Sequence, residues 1–555
     1  MTWRAACCGL AVLAAGAVGL QACASPGTTP GSSAAAAPAP SPASAGGIDV
    51  VELTAERVQS DLAQGKYTTL QLTQAFLERI DRYEDHYNAF ISLNPEALAV
   101  AAALDQEIRS TGPRGPLHGV PVVIKDNIDY GGLVTTAGFS GFSGSTGGVD
   151  MIPDDDAAVV ERLRAAGAVI LGKTNLPDFA GHGTRTNSSV AGVTLNPYNE
   201  DKAPGGSSGG TATAVNASFA VLGLGTETGG SIQNPAAAQA LVGVKPTFGL
   251  VPLEGVVPMS ATYVDVVGPL AKSVWDAAIT LEVIAGPSDD DPRTFSAADH
   301  VPEEGYVARL SETALEGRRF GLVGEGWRTS YLPLAPQTEA LYRKAVALLV
   351  AQGADVVEDP FRGTRFIELY SQRRGFRSQG AMDLLSYLQG LGEGASFNSI
   401  EEWEELTGQT FRRGRRQQAP WRTDPTEDRD SLEDRGTFQD WRDEIQALFR
   451  AVLEEHRLDG LFFPQAGAPI PDLIEDPERP DYNPNNHPEL PSNIVNDIGL
   501  PVVTLPFAYY SDGTPFVLAF IGDTWTEAEL LSYAYDLEQA TSARVPPELR
   551  SGSGG

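Results

Sequence analysis

Three segments of this chain carry residues able to attack and cleave a carbonyl group: HGVPVVIKDN at 118–127, PGGSSGGTATAV at 204–215 and GTETGGSIQNPAA at 225–237. Ser231 is the better nucleophile candidate. It follows Thr228, Gly229 and Gly230 after the apolar run Phe219–Leu224, and glycines at such a turn let backbone N–H groups converge on one point. That convergence is what an oxyanion hole requires, so these three residues are its candidate donors. A serine also needs a base to take its proton. The six histidines lie in no recognisable Ser-His-Asp context, which leaves lysine, as serine–lysine variants of the triad allow.

Lys125 and the GGSSGG loop are ambiguous when read alone. A lysine at the end of an apolar strand is usually a solvated cap. The loop reads equally as a flexible turn, a phosphate cradle or a nucleophile elbow. Ser207 stands in a nominal G-x-S-x-G from Gly205 to Gly209, but an elbow needs a strand directly before it, and 199–204 (NEDKAP) is not one. A phosphate loop needs a lysine after its glycines, and none follows.

The elements that must position these residues alternate between helix and short buried strand. In TTLQLTQAFLERIDRY, Thr69 can cap a helix that sets Leu72, Phe76 and Ile80 on one face, and 95–109 suits a second helix. Val120–Ile124 is a β-branched run that predicts a strand ending at Lys125. Helix 156–166, strand 168–171, helix 211–217 and the run 219–224 continue the pattern. This argues for an α/β fold, one large domain with a central, mostly parallel mixed sheet flanked by helices. The domain is expected over 48–544, with a divergent helical insertion at about 360–445 that is either a substrate lid or a solvated excursion. The C-terminal stretches GLPVVTLPF and PFVLAFIG look like strands, a last helix spans 526–539, and 545–555 reads as a flexible tail.

The N-terminus has a separate logic. Arg4 precedes the apolar run Ala5–Leu20, which is short for a membrane span of about 20 residues and ends in Leu-Gln-Ala-Cys. Residues 1–22 are expected to be a signal peptide, and Cys23 resembles the lipidated cysteine of a bacterial lipoprotein box. The other cysteines, Cys7 and Cys8, lie inside the signal, so Cys23 has no disulfide partner. From residue 24 to 47 only Ala, Ser, Pro, Gly and Thr occur, so 23–47 is expected to be a disordered tether. The expectation is an exported protein held to the membrane only by lipid on Cys23, facing the periplasm or cell exterior. A net charge of −32 argues against a nucleic-acid partner, and no metal-ligand spacing or cofactor motif is apparent.

Together, the three segments resemble the amidase signature family, whose Ser–cis-Ser–Lys triad lies in such motifs. The resemblance covers roughly Leu70–Ala271, including GKTNLPDFA (172–180) and GVKPTFGLVP (243–252), weakens over 290–450 and returns at the C-terminal end. It implies that Ser231 is the nucleophile, Ser207 the bridging serine held by a cis peptide, and Lys125 the base. To accept a proton near pH 7.5, Lys125 must lie about 3 units below its ordinary pKa, roughly 4 kcal/mol supplied by burial and hydrogen-bonded hydroxyls. The resemblance also sets Ala180 and Gly181 near the acyl pocket of a small-molecule amide substrate. Glu227 and Gln233 depart from the family's usual Asp and Arg, which predicts activity retained in an altered loop environment. The implied function is an amidohydrolase working through an acyl-enzyme. The alternatives are an esterase or carbamate hydrolase using the same triad, a transamidase component that works on charged tRNA (opposed by export and charge), or a catalytically silent surface-anchored binding protein.

Overall fold

Pro121–Lys125, buried along its whole length, is the kind of β-branched run that needs cover on both faces of a sheet, and the rest of the architecture supplies it. The computed structural model describes residues 47–373, 379–412, 429–474 and 488–551. The expected signal, the lipid-attachment cysteine Cys23 and all but the last residue of the tether lie outside the described residues.

The first strands are β1 (Phe90–Leu93), β2 (Pro121–Lys125), β3 (Val169–Thr174), the two-residue β4 (Asn187–Ser188) and β5 (Gly192–Val193), and β6 (Leu222–Glu227). Next come β7 (Val242–Lys245), β8 (Val266–Ala271), β9 (Arg319–Leu322) and β10 (Asp355–Glu358). The last are β11 (Gly460–Pro464), β12 (Val502–Tyr509) and β13 (Pro515–Ile521). Eleven of them form one sheet in the order β1-β3-β2-β6-β8-β7-β12-β13-β11-β9-β10, while β4 and β5 make a separate hairpin. The sheet is mixed, as expected. Its parallel pairings lie in two blocks, β3-β2-β6 and β11-β9-β10, joined through antiparallel strands.

The first block positions the site. Lys125 pairs with Thr174 and Ile124 with Leu224, so the C-terminal ends of β2, β3 and β6 open onto one edge of the sheet. In parallel α/β sheets that edge is where ligands bind. The helix Gly209–Asn216, wholly buried, packs on β2 and β6 and carries the serine loop at its N-terminal end.

The sequence-based elements recur with shifted ends. The helix Thr69–Tyr87 buries Leu72, Phe76 and Ile80 as expected. Its cap is Thr68 rather than Thr69: Thr68 Oγ1 accepts from Gln71 N, and Gln71 Oε1 accepts from Thr68 N, which satisfies two orphan donors at once. The run 219–224 forms strand only from Leu222, and the strand continues to Glu227, directly before the turn that carries Ser231. The region 360–445 contains the helices Phe366–Ser371, Gln379–Gln389 and Ile400–Thr407 and the start of Arg429–His456. Leu384, Leu388, Phe397, Trp403 and Phe411 pack with Phe142 and Phe179 in an aromatic-rich cluster distinct from the main core. Residues 545–551, expected as the start of a flexible tail, are fastened instead. Val545 N donates to Tyr509 Oη at 2.8 Å, Arg550 N donates to Tyr87 Oη at 2.9 Å, and Leu549 packs on the core.

A buried ion pair holds β3 to the segment leaving β2. Lys173 Nζ lies 3.1 Å from Asp126 Oδ1, with both side chains fully buried, and it also donates to Val134 O at 3.2 Å. Burial pushes the Asp126 carboxyl up while Lys173 pulls it down. Lys173→Met would leave that carboxylate unpaired in the interior and is expected to cost about 3–5 kcal/mol of stability by chemical denaturation. A loss below about 1 kcal/mol would show that Asp126 does not depend on the lysine.

Candidate active site

Lys125 differs from the other buried lysines in what it touches. Its Nζ donates to Ser207 Oγ at 2.7 Å, Thr226 Oγ1 at 2.8 Å and Thr226 O at 3.2 Å. Lys173 faces a carboxylate, and Lys245 donates to two backbone carbonyls, Pro246 O and Leu500 O, each at 2.7 Å. Lys173 donates to the Thr135 hydroxyl as well, but among the described contacts only Lys125 of these three combines hydroxyl partners with no carboxylate in contact. Hydroxyls both donate and accept, which suits a neutral amine. Burial, opposed by the charges of Glu227 and Asp265, brings its pKa down to about 7. The solvated-cap reading of Lys125 fails, since the side chain is 0% exposed.

The serine loop approaches from the other side. The Gly206–Ser207 peptide bond is cis, and the Ser207 hydroxyl faces Lys125. Ser208 N donates to Ser231 O at 3.3 Å, tying this loop to the turn that ends in Ser231. Ser231 is buried, 7% exposed, at the end of the turn that leaves β6. Gly230 has φ +109°, and a Cβ there would collide with the Glu489 carboxylate, so only glycine fits the turn.

Thr228, Gly229 and Gly230 form that turn. Thr228 Oγ1 donates to Asp265 Oδ1 at 2.7 Å, and Asp265 Oδ2 accepts from Met259 N at 2.8 Å and Ser260 N at 2.7 Å. Ala180, buried with φ +55°, and the exposed Gly181 lead into a segment that runs against the serine loop. A Cβ on Gly206 would run into His182 O, and Gly183 O accepts from Asn234 Nδ2 at 3.1 Å. The structure brings Lys125 against Ser207 and ties the serine loop to the backbone of Ser231, while Ala180 and Gly181 directly precede His182 and Gly183, which meet Gly206 and Asn234.

The departures at 227 and 233 meet each other. Gln233 Nε2 donates to Glu227 Oε1 at 2.5 Å, while Glu227 Oε2 accepts from Ile232 N at 2.7 Å and Gln233 N at 3.0 Å. One carboxylate thus braces the start of the helix Gln233–Ala238 without a guanidinium. Gln233→Leu removes the amide donor at nearly constant volume and is expected to destabilise the fold by about 1.5–3 kcal/mol in urea unfolding. A change near zero would mean that the two backbone donors satisfy Glu227 alone.

Several contributors escaped sequence reading. Thr226 is a direct partner of Lys125, Asn127 Nδ2 donates to Thr226 Oγ1 at 3.1 Å, Asp265 holds the 228–231 turn through Thr228, and Asn234 donates to Glu489 beside Gly230. Thr226 and Asn127 lie inside motifs already singled out, and strand alternation points Thr226 to the same face as Leu224. Asp265 and Glu489 are remote in sequence and carry no local signal.

A single buried serine loop, a buried lysine bound to hydroxyls and a glycine turn, all at the C-terminal edge of one sheet, define a hydrolase-like α/β domain. The Amidase family model matches residues 71–531, and the chain belongs to that family. It is 31% identical over 515 residues to a glutamyl-tRNA(Gln) amidotransferase subunit from Alkaliphilus metalliredigens, covering 88% of this chain and 96% of that protein. Against the protein of the same name from Streptomyces avermitilis it is 39% identical over 316 residues, a match spanning 59% of that relative's length and 56% of this chain. Among solved structures, the native peptide amidase from Stenotrophomonas maltophilia superposes with a TM-score of 0.67 at 33% identity, covering 90% of this chain and 99% of the other.

Proposed function

We propose that this protein is an amidohydrolase that cleaves a carboxylic amide to acid and amine or ammonia through an acyl-enzyme on Ser231. The observation that carries this reading is the 2.7 Å hydrogen bond between Ser207 and a fully buried Lys125 whose pKa is brought down to about 7. A lysine that is neutral near pH 7 is a base, and a hydroxyl on it is a relay.

As Ser231 Oγ attacks the carbonyl carbon, its proton passes to Ser207, and the Ser207 proton passes to Lys125. The charge developing on the carbonyl oxygen is met by backbone N–H groups of the 228–231 turn. Collapse of the tetrahedral intermediate breaks the C–N bond, and the proton returns through Ser207 to the leaving nitrogen. Water then repeats the sequence on the ester, releasing acid and free Ser231. Ala180 and Gly181 border the acyl group in this reading. Esters and carbamates suit the same steps, because the acyl-enzyme is common to them. Both relatives' names, peptide amidase and amidotransferase, denote action on amide groups. The net charge of −32 favours a small-molecule substrate over tRNA.

The test is to incubate the full chain with a serine-directed fluorophosphonate and with a panel of anilides, peptide amides and esters. Labelling is expected on the peptide bearing Ser231, in competition with amide turnover. Labelling on another serine, or turnover unaffected by full labelling, would refute the mechanism. The absence of both labelling and turnover on any substrate would favour the silent binding protein.

We infer as well, from the Leu-Gln-Ala-Cys sequence, that the enzyme is exported and anchored by lipid on Cys23. Incorporation of a clickable fatty acid by the full chain, lost in Cys23→Ser, is the expected result. Equal incorporation by both would exclude this anchor.

A further inference from the structure

The helix Gln379–Gln389 belongs to the insertion, yet it reaches both halves of the candidate machinery from one face. Asp383 and Tyr387 are one turn apart and therefore project to the same side. Asp383 Oδ1 accepts from Thr262 Oγ1 at 2.6 Å, and its Oδ2 accepts from Thr262 N at 3.1 Å. Thr262 lies on the tight 259–265 turn, where Tyr263, Val264 and Asp265 N–H groups all donate to Ser260 O. The N–H groups of that turn hold Asp265, and Asp265 holds Thr228. One turn along the helix, the Tyr387 hydroxyl donates to Asp129, 2.9 Å and 3.0 Å from its two oxygens. Asp129 is buried four residues beyond Lys125, and its carbonyl accepts from Ala157 N. Leu384 and Leu388 anchor the same helix in the cluster with Phe179, next to Ala180.

We propose that Asp383 and Tyr387 are positioning residues: through them the inserted helix holds the oxyanion turn in register with the strand end that carries Lys125. Neither touches the reacting atoms. Asp383 acts through Thr262, the 259–265 turn, Asp265 and Thr228, and Tyr387 acts through Asp129. This rests on the reading of Ser231, Ser207 and Lys125 given above. The physical reason is geometric. An oxyanion donor contributes only when it meets the position the oxyanion will occupy, and a displacement of about 1 Å costs on the order of 100-fold in rate. A helix bonded to both sides of the site limits such displacement. Substrate binding away from the reacting carbonyl is unaffected, so the loss falls on kcat.

The experiment compares the full chain with Asp383→Asn, Tyr387→Phe, Thr228→Val and the double variant Asp383→Asn/Thr228→Val. Turnover is expressed per fluorophosphonate-labelled site, so that misfolded protein does not count. Asp383→Asn and Tyr387→Phe are each expected to lower kcat about 10-fold, with KM within about twofold. Asp383→Asn is expected to cost much less in the Thr228→Val background than alone, because both variants break the same chain of contacts. Tyr387→Phe loses one hydroxyl and keeps the ring, so it reports on positioning even if an Asp383 variant folds poorly. Wild-type kcat per labelled site in both single variants overturns the proposal, as does strict additivity in the double variant. Ser231→Ala, which has no labelled site and is therefore normalised to the folded fraction read from its unfolding transition, separates the two readings. If it is inactive while the helix variants are normal, only the positioning role fails; if it keeps full turnover, the site assignment fails and the positioning role falls with it.

Discussion

Ser231→Ala is expected to lower kcat for amide hydrolysis by about 10⁴- to 10⁶-fold, because the variant has no atom on which to form an acyl-enzyme. Loss of the nucleophile in a triad leaves only binding and oxyanion stabilisation, which together retain about 10³- to 10⁴-fold over water. The substitution should be nearly silent for stability. Ser231 is buried beside a glycine turn held by Glu227 and Asp265 through neighbouring atoms, and those contacts do not involve its hydroxyl. Stopped-flow or long-incubation assays on an anilide, with the melting temperature measured on the same preparation, check both halves. Amide turnover in Ser231→Ala within tenfold of wild type would move the nucleophile elsewhere.

Lys125→Met is expected to lower kcat by about 10⁴-fold at pH 8, since Met fills the space but cannot accept a proton. The wild-type pH profile follows from the same group. Lys125 must be neutral to act as the base, and burial brings its pKa down to about 7. Activity is therefore lost as pH falls below about 7 and is full about one unit above it. In Lys125→Met the small residual rate should lack that limb. Glu227 and Asp265 raise the Lys125 pKa, so Asp265→Asn should move the acidic limb to lower pH. A limb that stays in place when Lys125 is replaced would assign it to another group, and Asp129, raised to about 6 by burial, would be the first to examine.

Much of the site was legible in the sequence because its chemistry is concentrated in three short stretches. A strand ending in lysine and two serine-bearing glycine loops are local features, written by steric needs of the backbone and by apolar runs that bury themselves. The same locality made the helix faces readable: Leu72, Phe76 and Ile80 point inward because their spacing matches the helical repeat. Ends were less legible, as at Thr68 and at Leu222, because a cap or a strand boundary depends on which partner satisfies the last backbone groups.

The lysines show where sequence stops. Lys125, Lys173 and Lys245 all lie on short apolar strands, and all three are fully buried. Their pattern is alike, but Lys125 meets two hydroxyls and a carbonyl, Lys173 a carboxylate with a hydroxyl and a carbonyl beside it, and Lys245 two carbonyls. Only neighbours brought in from distant parts of the chain make one a candidate base, one an ion-pair partner and one a backbone clamp. The same holds for Asp265, 37 positions from Thr228, and for Glu489, 255 positions from Asn234. Sequence by itself determined which residue types could do the chemistry and on which elements they sit, because those depend on nearby residues. The tertiary structure decided which of them meet, how the pKa of Lys125 falls and how the inserted helix reaches the site. Burial and pairing are properties of the assembled sheet and are encoded in no single stretch.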